Sequence, residues 1–174
     1  MFFTIKGIRE YITEDTKNLD LSSMVKLLSK WALLSARGNS GLLIAQLFKG
    51  LAFALNDDDL LGPKQFVEVL IKTTEFAYGS MPNPQEGTIL TVVREAALGA
   101  KEAAENKPAQ LIQVWERATG AARDALAKTP DLLPVLKEAG VVDSGGFGLV
   151  AFFEGALAYL REDEVKVLEI ETGQ

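Results

Sequence analysis

The chain contains neither cysteine nor histidine. Disulfides, thiolate metal sites, cysteine nucleophiles and imidazole acid–base chemistry are excluded together. Any catalysis falls to carboxylates, hydroxyls, lysine, arginine, backbone amides or a hard metal ion. Long apolar runs are missing too, because no stretch reaches the roughly 18 to 20 residues of a membrane span. The opening MFFTIKGIRE has acidic and polar residues too early for a secretory signal, so a cytoplasmic protein is expected. Positive charge is also in short supply. Eighteen basic against 24 acidic side chains leave a net charge of -6, and the clustered Lys and Arg that neutralise nucleic-acid phosphates are not there. Residues 1–54 hold seven basic and four acidic side chains, and residues 55–174 hold eleven and twenty. The mildly positive first part suits a small anionic ligand.

What is present is apolar and helical. At 174 residues with 48% hydrophobic side chains, the chain can bury one core and is short for two domains. Apolar residues recur at three and four spacing, without the sustained alternation of strands. The expected fold is all-α, an antiparallel bundle or barrel of seven to eight amphipathic helices. The first fits Phe2 to Ile12. A second follows the cap Asp20, a third runs from Ser40 to about Leu55, and a fourth opens at Pro63, where a missing N–H is tolerated. The fifth spans Thr88 to Glu105 and the sixth Pro108 to Lys128. A short seventh lies around Leu132 to Glu138, and an eighth runs from Leu149 to Leu160. Gly50, Gly99, Gly120 and Gly155 fall inside these helices, where close packing is the expected offset to the roughly 1 kcal/mol that each costs relative to Ala. Residues 1–161 form the domain, and residues 162–174 form an acidic tail or linker.

Three glycine-containing stretches precede helix starts. The first turn of a helix has backbone N–H groups without internal acceptors, and the peptide dipoles place partial positive charge there. In ARGNSGLLIAQLFKG, Gly38 and Gly41 let the backbone turn and approach a ligand, and Asn39 and Ser40 sit beside those amides. Two readings stand: an anion site, or a helix capped by Asn39 or Ser40. In PNPQEGTILTVVREA, Gly87 precedes the apparent cap Thr88, and Ile89 turns inward. In AGVVDSGGFGLV, Asp143, Ser144, Gly145, Gly146 and Gly148 are crowded into six positions, either as part of a binding loop or as a tight connection between helices. The starts of helices three and five can share one end of the bundle, and helix eight joins them only if one short helix is not a full crossing.

Together, ARGNSGLLIAQLFKG, EGTILTVVREA and LKEAGVVDSGGFGLV resemble the nucleotide-binding (DhaL-like) domain shared by dihydroxyacetone kinases and bacterial fatty acid kinases, closest to the fatty acid kinase N-terminal domain. The resemblance covers residues 1 to about 161 in the family's order. It implies a barrel of eight amphipathic antiparallel helices with ATP or ADP at one end. Asn39 and Ser40 would face the phosphates, Leu43 and Ile89 would flank the base, and Thr88, Asp143, Ser144 and Gly145 would close the pocket. The resemblance therefore favours the anion reading for Gly38 to Gly41.

The family also places an aspartate-rich loop of the form DGDTGTN before the methionine that here is Met1. Mg²⁺ is expected for the family, but its aspartate ligands are absent from this chain, and NDDD at 56–59 is read as a solvated turn. The expectation is a shortened form that lacks the first family helix, retains a weak nucleotide site and is impaired in phosphoryl transfer, which depends on that metal. No catalytic residue is assigned. The resemblance implies a fatty-acid-binding carrier protein or dihydroxyacetone as the source of the acceptor. The alternative is a non-catalytic nucleotide-binding or protein-interaction module. A lost first helix should expose apolar surface along MFFTIKGI and helix three, so a homo-oligomer is expected.

Overall fold

The computed structural model describes residues 1–13, 16–55, 61–105 and 109–161. The NDDD turn and the tail 162–174 lie outside the described residues. Among those described the fold is all-α, with nine α-helices, one 3₁₀ turn and no strand. The helices are α1 (Phe2–Glu10), α2 (Leu21–Ser35), α3 (Gly38–Ala54), α4 (Pro63–Gly79), α5 (Ile89–Glu105), α6 (Leu111–Ala127), α7 (Thr129–Leu132), α8 (Pro134–Ala139) and α9 (Ser144–Leu160). The expected seventh helix is two short pieces broken between Leu132 and Pro134. The eighth begins five residues earlier than expected, so Ser144, Gly145, Gly146 and Gly148 belong to the first turns of α9 rather than to a loop.

Local chemistry accounts for the boundaries. Asp20 caps α2 by accepting a 2.8 Å hydrogen bond from Ser23 N–H. Pro63 opens α4 after Gly62, and Gly140, at φ 67°, closes α8 in the left-handed conformation. Each long helix packs on its chain neighbour: α2 on α3, α3 on α4, α4 on α5 and α5 on α6, with α1 laid on α2 and α3. α9 completes the bundle against α5 and α6. At the centre the ring of Phe66 stacks on Trp115 at 4.3 Å, Phe153 meets Trp115 edge-on at 5.8 Å, and Trp115 Nε1 donates to the Phe153 carbonyl at 3.0 Å. Burial of such aromatic side chains is worth about 1.5–3 kcal/mol each. No helix among the described residues is long and apolar enough to cross a membrane. On α1, Phe2 and Phe3 are 72% and 70% exposed, so much of its apolar surface has no cover within the described chain.

The parity of the crossings fixes where the site can be. α4 returns once between α3 and α5, so α3 and α5 start at the same end, and α6 ends there. α7 and α8 do not cross the bundle. They stay at that end, where Leu132 and Leu133 lie against Gly87 and Thr129 bonds Asp143, and α9 sets out beside α3 and α5.

The glycines inside helices divide into two kinds. A Cβ at Gly99 would stand 2.7 Å from Ala121 Cβ and 3.0 Å from the Arg117 carbonyl oxygen, and one at Gly50 would stand 3.1 Å from Val69 Cγ1. These two do serve packing. Gly120 and Gly155 face open space, with nothing within 4 Å, so the packing expectation fails for them. Gly120→Ala and Gly155→Ala should therefore raise stability by about 0.5–1 kcal/mol through helix propensity, whereas Gly99→Ala should lower it despite the same propensity gain. Urea-unfolding midpoints of the three variants check the opposite signs.

Candidate functional site

The starts of α3, α5 and α9 meet at one point. A Cβ placed on Gly145 would stand 2.8 Å from Ser40 Oγ, 3.1 Å from Asp143 Oδ2 and 3.3 Å from Ile89 Cβ. Residues from three separate stretches are thus brought within one side chain's width, and only a glycine in α9 leaves room for the approach. Ser40, Ile89, Asp143 and Gly145 come together, with Thr88 and Ser144 as their chain neighbours.

The three starts differ in what they offer. α9 is already capped: Asp143 Oδ2 accepts from Gly146 N–H at 2.7 Å. Its backbone N–H donates to Thr129 Oγ at 3.1 Å, and the fully buried Thr129 hydroxyl donates to the Leu126 carbonyl at 2.7 Å. The carboxylate therefore occupies the positive end of α9, leaving Oδ1 as an acceptor suited to a hydroxyl or amine donor rather than to a phosphate. At α5, the Thr88 hydroxyl donates to the Gln85 carbonyl at 2.7 Å and accepts a long 3.4 Å bond from Leu90 N–H. To donate to a ligand oxygen, Thr88 must give up Gln85.

α3 is different. Its start has no side-chain cap, so neither Asn39 nor Ser40 acts as the cap that one reading required. Gly38 lies at φ 62°, with nothing within 4 Å of where a Cβ would be. Asn39 is exposed and Ser40 half-buried. Uncapped first-turn amides, a positive helix end and the exposed Arg37 just before them form the one anion-attracting start of the three.

Two expected site residues have other duties. Gly41 is buried, with α1 pressed against it: its Cβ would stand 2.5 Å from Thr4 Oγ. That glycine makes room for α1. Leu43 is 2% exposed and forms part of the core, and Ile89 is 5% exposed. Leu43 also walls a cleft of about 30 Å³ shared with Asn39, Phe76 and Met81, which has room for about one water. A nucleotide base beside Leu43 requires Phe76 or Met81 to swing aside. A larger cavity of about 400 Å³ lies along the seam of α3 and α4, walled by Phe53, Val69 and Phe76.

Sequence reasoning missed the support behind α5. Glu86 Oε1 accepts from Tyr78 OH at 2.8 Å and from Arg94 at 2.6 Å, and Oε2 accepts from Thr91 Oγ at 2.6 Å. Thr91 Oγ in turn accepts from Gly87 N–H at 2.8 Å. Glu95 pairs with Arg94 at 3.1 Å. Burial pushes the Tyr78 phenol up to about 12, and the hydrogen bond to Glu86 adds to the shift. Burial also acts to raise the Glu86 carboxyl, but the hydrogen bonds from Thr91, Tyr78 and Arg94 outweigh it and hold the group below the usual carboxylate value. The sequence signals were Gly87 and a threonine four residues on; the partners on α4 were not readable.

Among the described residues no group of three or more His, Cys, Asp or Glu side chains is arranged to hold a metal ion. Asp143 is the one carboxylate identified at the meeting point, and half of it is committed to Gly146. The described residues do not by themselves fit a protein-held Mg²⁺ site.

Comparison with known proteins gives a consistent picture. The DAK2 domain matches residues 1–158. Protein YloV of Bacillus subtilis (strain 168) is 41% identical over 159 residues, covering 91% of this chain and 28% of YloV. Uncharacterised proteins of Staphylococcus aureus strains bovine RF122 / ET3-1 and USA300 are each 39% identical over 166 residues, covering 95% of this chain and 30% of theirs. The chain spans less than a third of the length of these relatives.

The Tyr78–Glu86 pair gives stability a pH signature. The folded phenol keeps its proton above the unfolded value of about 10, so stability is full below that value and is lost as pH rises toward about 12. The depressed Glu86 value contributes stability above the usual carboxylate range that is lost as pH falls through it. Unfolding midpoints across pH should show both limbs. Tyr78→Phe should remove the alkaline component, and Glu86→Gln the acid one.

Proposed function

Because the chain belongs to the DAK2 domain family, whose match supports a kinase-related nucleotide-binding domain, we propose that it holds ATP at the shared end of α3, α5 and α9, from which the terminal phosphoryl group passes to a small acceptor and leaves ADP bound. The observation that carries this reading is the meeting of Ser40, Ile89 and Asp143 around Gly145, beside an α3 start without a side-chain cap. Phosphate oxygens accept from the first amides of α3 and from Ser40. Thr88, once released from Gln85, adds a hydroxyl, and Asp143 Oδ1 accepts from a ligand hydroxyl or amine. Mg²⁺, when it accompanies the nucleotide, neutralises phosphate charge; the described residues bind and orient. The acceptor is a fatty acid presented by a carrier protein, or dihydroxyacetone, following the resemblance of the three motifs.

One observation favours a second reading, a non-catalytic nucleotide-binding or protein-interaction module. The carboxylate at the meeting point already caps its own helix. ATP turnover separates the two readings, since the first requires it once an aspartate-rich segment is supplied upstream of Met1 and the second predicts binding without it.

Calorimetric titration with ADP tests the site itself. Binding should be detected, and Ser40→Ala should weaken it about tenfold, the order expected for one hydrogen bond to a charged group. Gly145→Val should abolish it by forcing α9 off Ser40. No heat at millimolar ADP would remove the proposal. Self-association through the exposed Phe2 and Phe3 belongs to the same reading. Light scattering should give a dimer or larger species, and Phe2→Ser with Phe3→Ser should return it to monomer.

A further inference from the structure

The α4–α5 connection is held from two sides. On one, Gly87 stands at φ 78°, a region that favours glycine, with Leu133 Cβ 2.8 Å and Leu133 N 3.0 Å from where its own Cβ would be. On the other, its N–H is tied to Thr91 Oγ, which donates to Glu86, which is gripped by Tyr78 from α4 and Arg94 from α5. Arg94 also reaches Tyr78 OH at 2.9 Å, so the phenol, the carboxylate and the guanidinium close a ring. One oxygen of the Glu86 carboxylate reaches the Gly87 N–H through Thr91, the other is held by Tyr78 and Arg94, and the residue after Gly87 is Thr88.

We propose that Glu86 is a positioning residue for the nucleotide mouth, acting with Thr91 as a clamp that sets the Gly87–Thr88 peptide, and with it the start of α5, at the register needed beside Ser40 and Asp143. This rests on the nucleotide reading above. Glu86 touches no ligand in this role. Its carboxylate orders a backbone segment that would otherwise have to be ordered on binding, and the α7–α8 connection links that segment to Asp143 through Leu133 and Thr129. The half-exposed Arg94–Glu86 ion pair adds little to overall stability by itself, so the positioning role is read from ligand affinity and from Gly87 rather than from global unfolding.

The test compares Glu86→Ala, Glu86→Gln, Thr91→Val and Thr91→Ser with Arg123→Ala, which breaks an equally short and exposed pair to Glu154 between α6 and α9. Two quantities are read on the whole chain: ADP affinity by calorimetry and amide hydrogen exchange at Gly87. Glu86→Ala and Thr91→Val should weaken ADP about tenfold, as loss of a charge-assisted hydrogen bond does, and should speed Gly87 exchange by a similar factor. Thr91→Ser, which keeps the hydroxyl, and Glu86→Gln, which keeps one acceptor, should recover most of both. Arg123→Ala should change neither. Faster exchange with unchanged ADP affinity would overturn the positioning role, and unchanged exchange would overturn the clamp. A wild-type chain that binds no ADP would defeat the nucleotide reading and the positioning role with it, while Gly87 exchange would still decide on the clamp.

Discussion

The architecture turns on one close approach, the first turn of α9 against the starts of α3 and α5 at Gly145. A single methyl group there would press on Ser40, Asp143 and Ile89 together. The approach is possible because α7 and α8 stay at one end of the bundle, and because the buried Thr129 hydroxyl hands Asp143 its place at the head of α9.

Three helix starts pointing at one place would ordinarily repel one another through their positive ends. The protein resolves this unequally. Asp143 neutralises α9, the Thr88 hydroxyl partly occupies α5, and α3 is left without a side-chain cap. In the nucleotide reading proposed above, the phosphates go toward the uncapped start of α3 and Ser40, and the donor groups of the ligand go toward Asp143.

Much of this was legible in the sequence, for physical reasons that differ by element. The all-α fold, the Asp20 cap and the opening of α4 at Pro63 follow from periodicity and from local side-chain chemistry, which need no tertiary information. The grouping of Ser40, Ile89, Asp143 and Gly145 was reachable through the resemblance of three motifs to one family. Three glycines in a row of six suggest a loop, so the expected start of α9 falls too late, whereas all three are offset by close contacts, Gly145 with Ser40 and Ile89, Gly146 with Val92 and Leu126, and Gly148 with Met1. Gly41 makes room for Thr4 on α1, a packing role that the motif alone does not reveal. Gly120 and Gly155 were assigned to packing and face nothing. Whether a glycine admits a helix, a ligand or only solvent depends on what stands opposite it, and a single sequence does not carry that. The Tyr78–Glu86–Arg94 ring was missed for the same reason, since its partners come from two helices.

The central claim is that the uncapped start of α3 receives the phosphates. Backbone amide chemical shifts during titration with inorganic pyrophosphate test it most directly, because the probe carries no base and no ribose. The account predicts saturable shifts largest at Gly38, Asn39 and Ser40, with smaller ones at Thr88 and Gly145. Shifts confined to the α3–α4 seam around Gly50, Val69 and Thr73, with residues 38–40 unmoved, would contradict it.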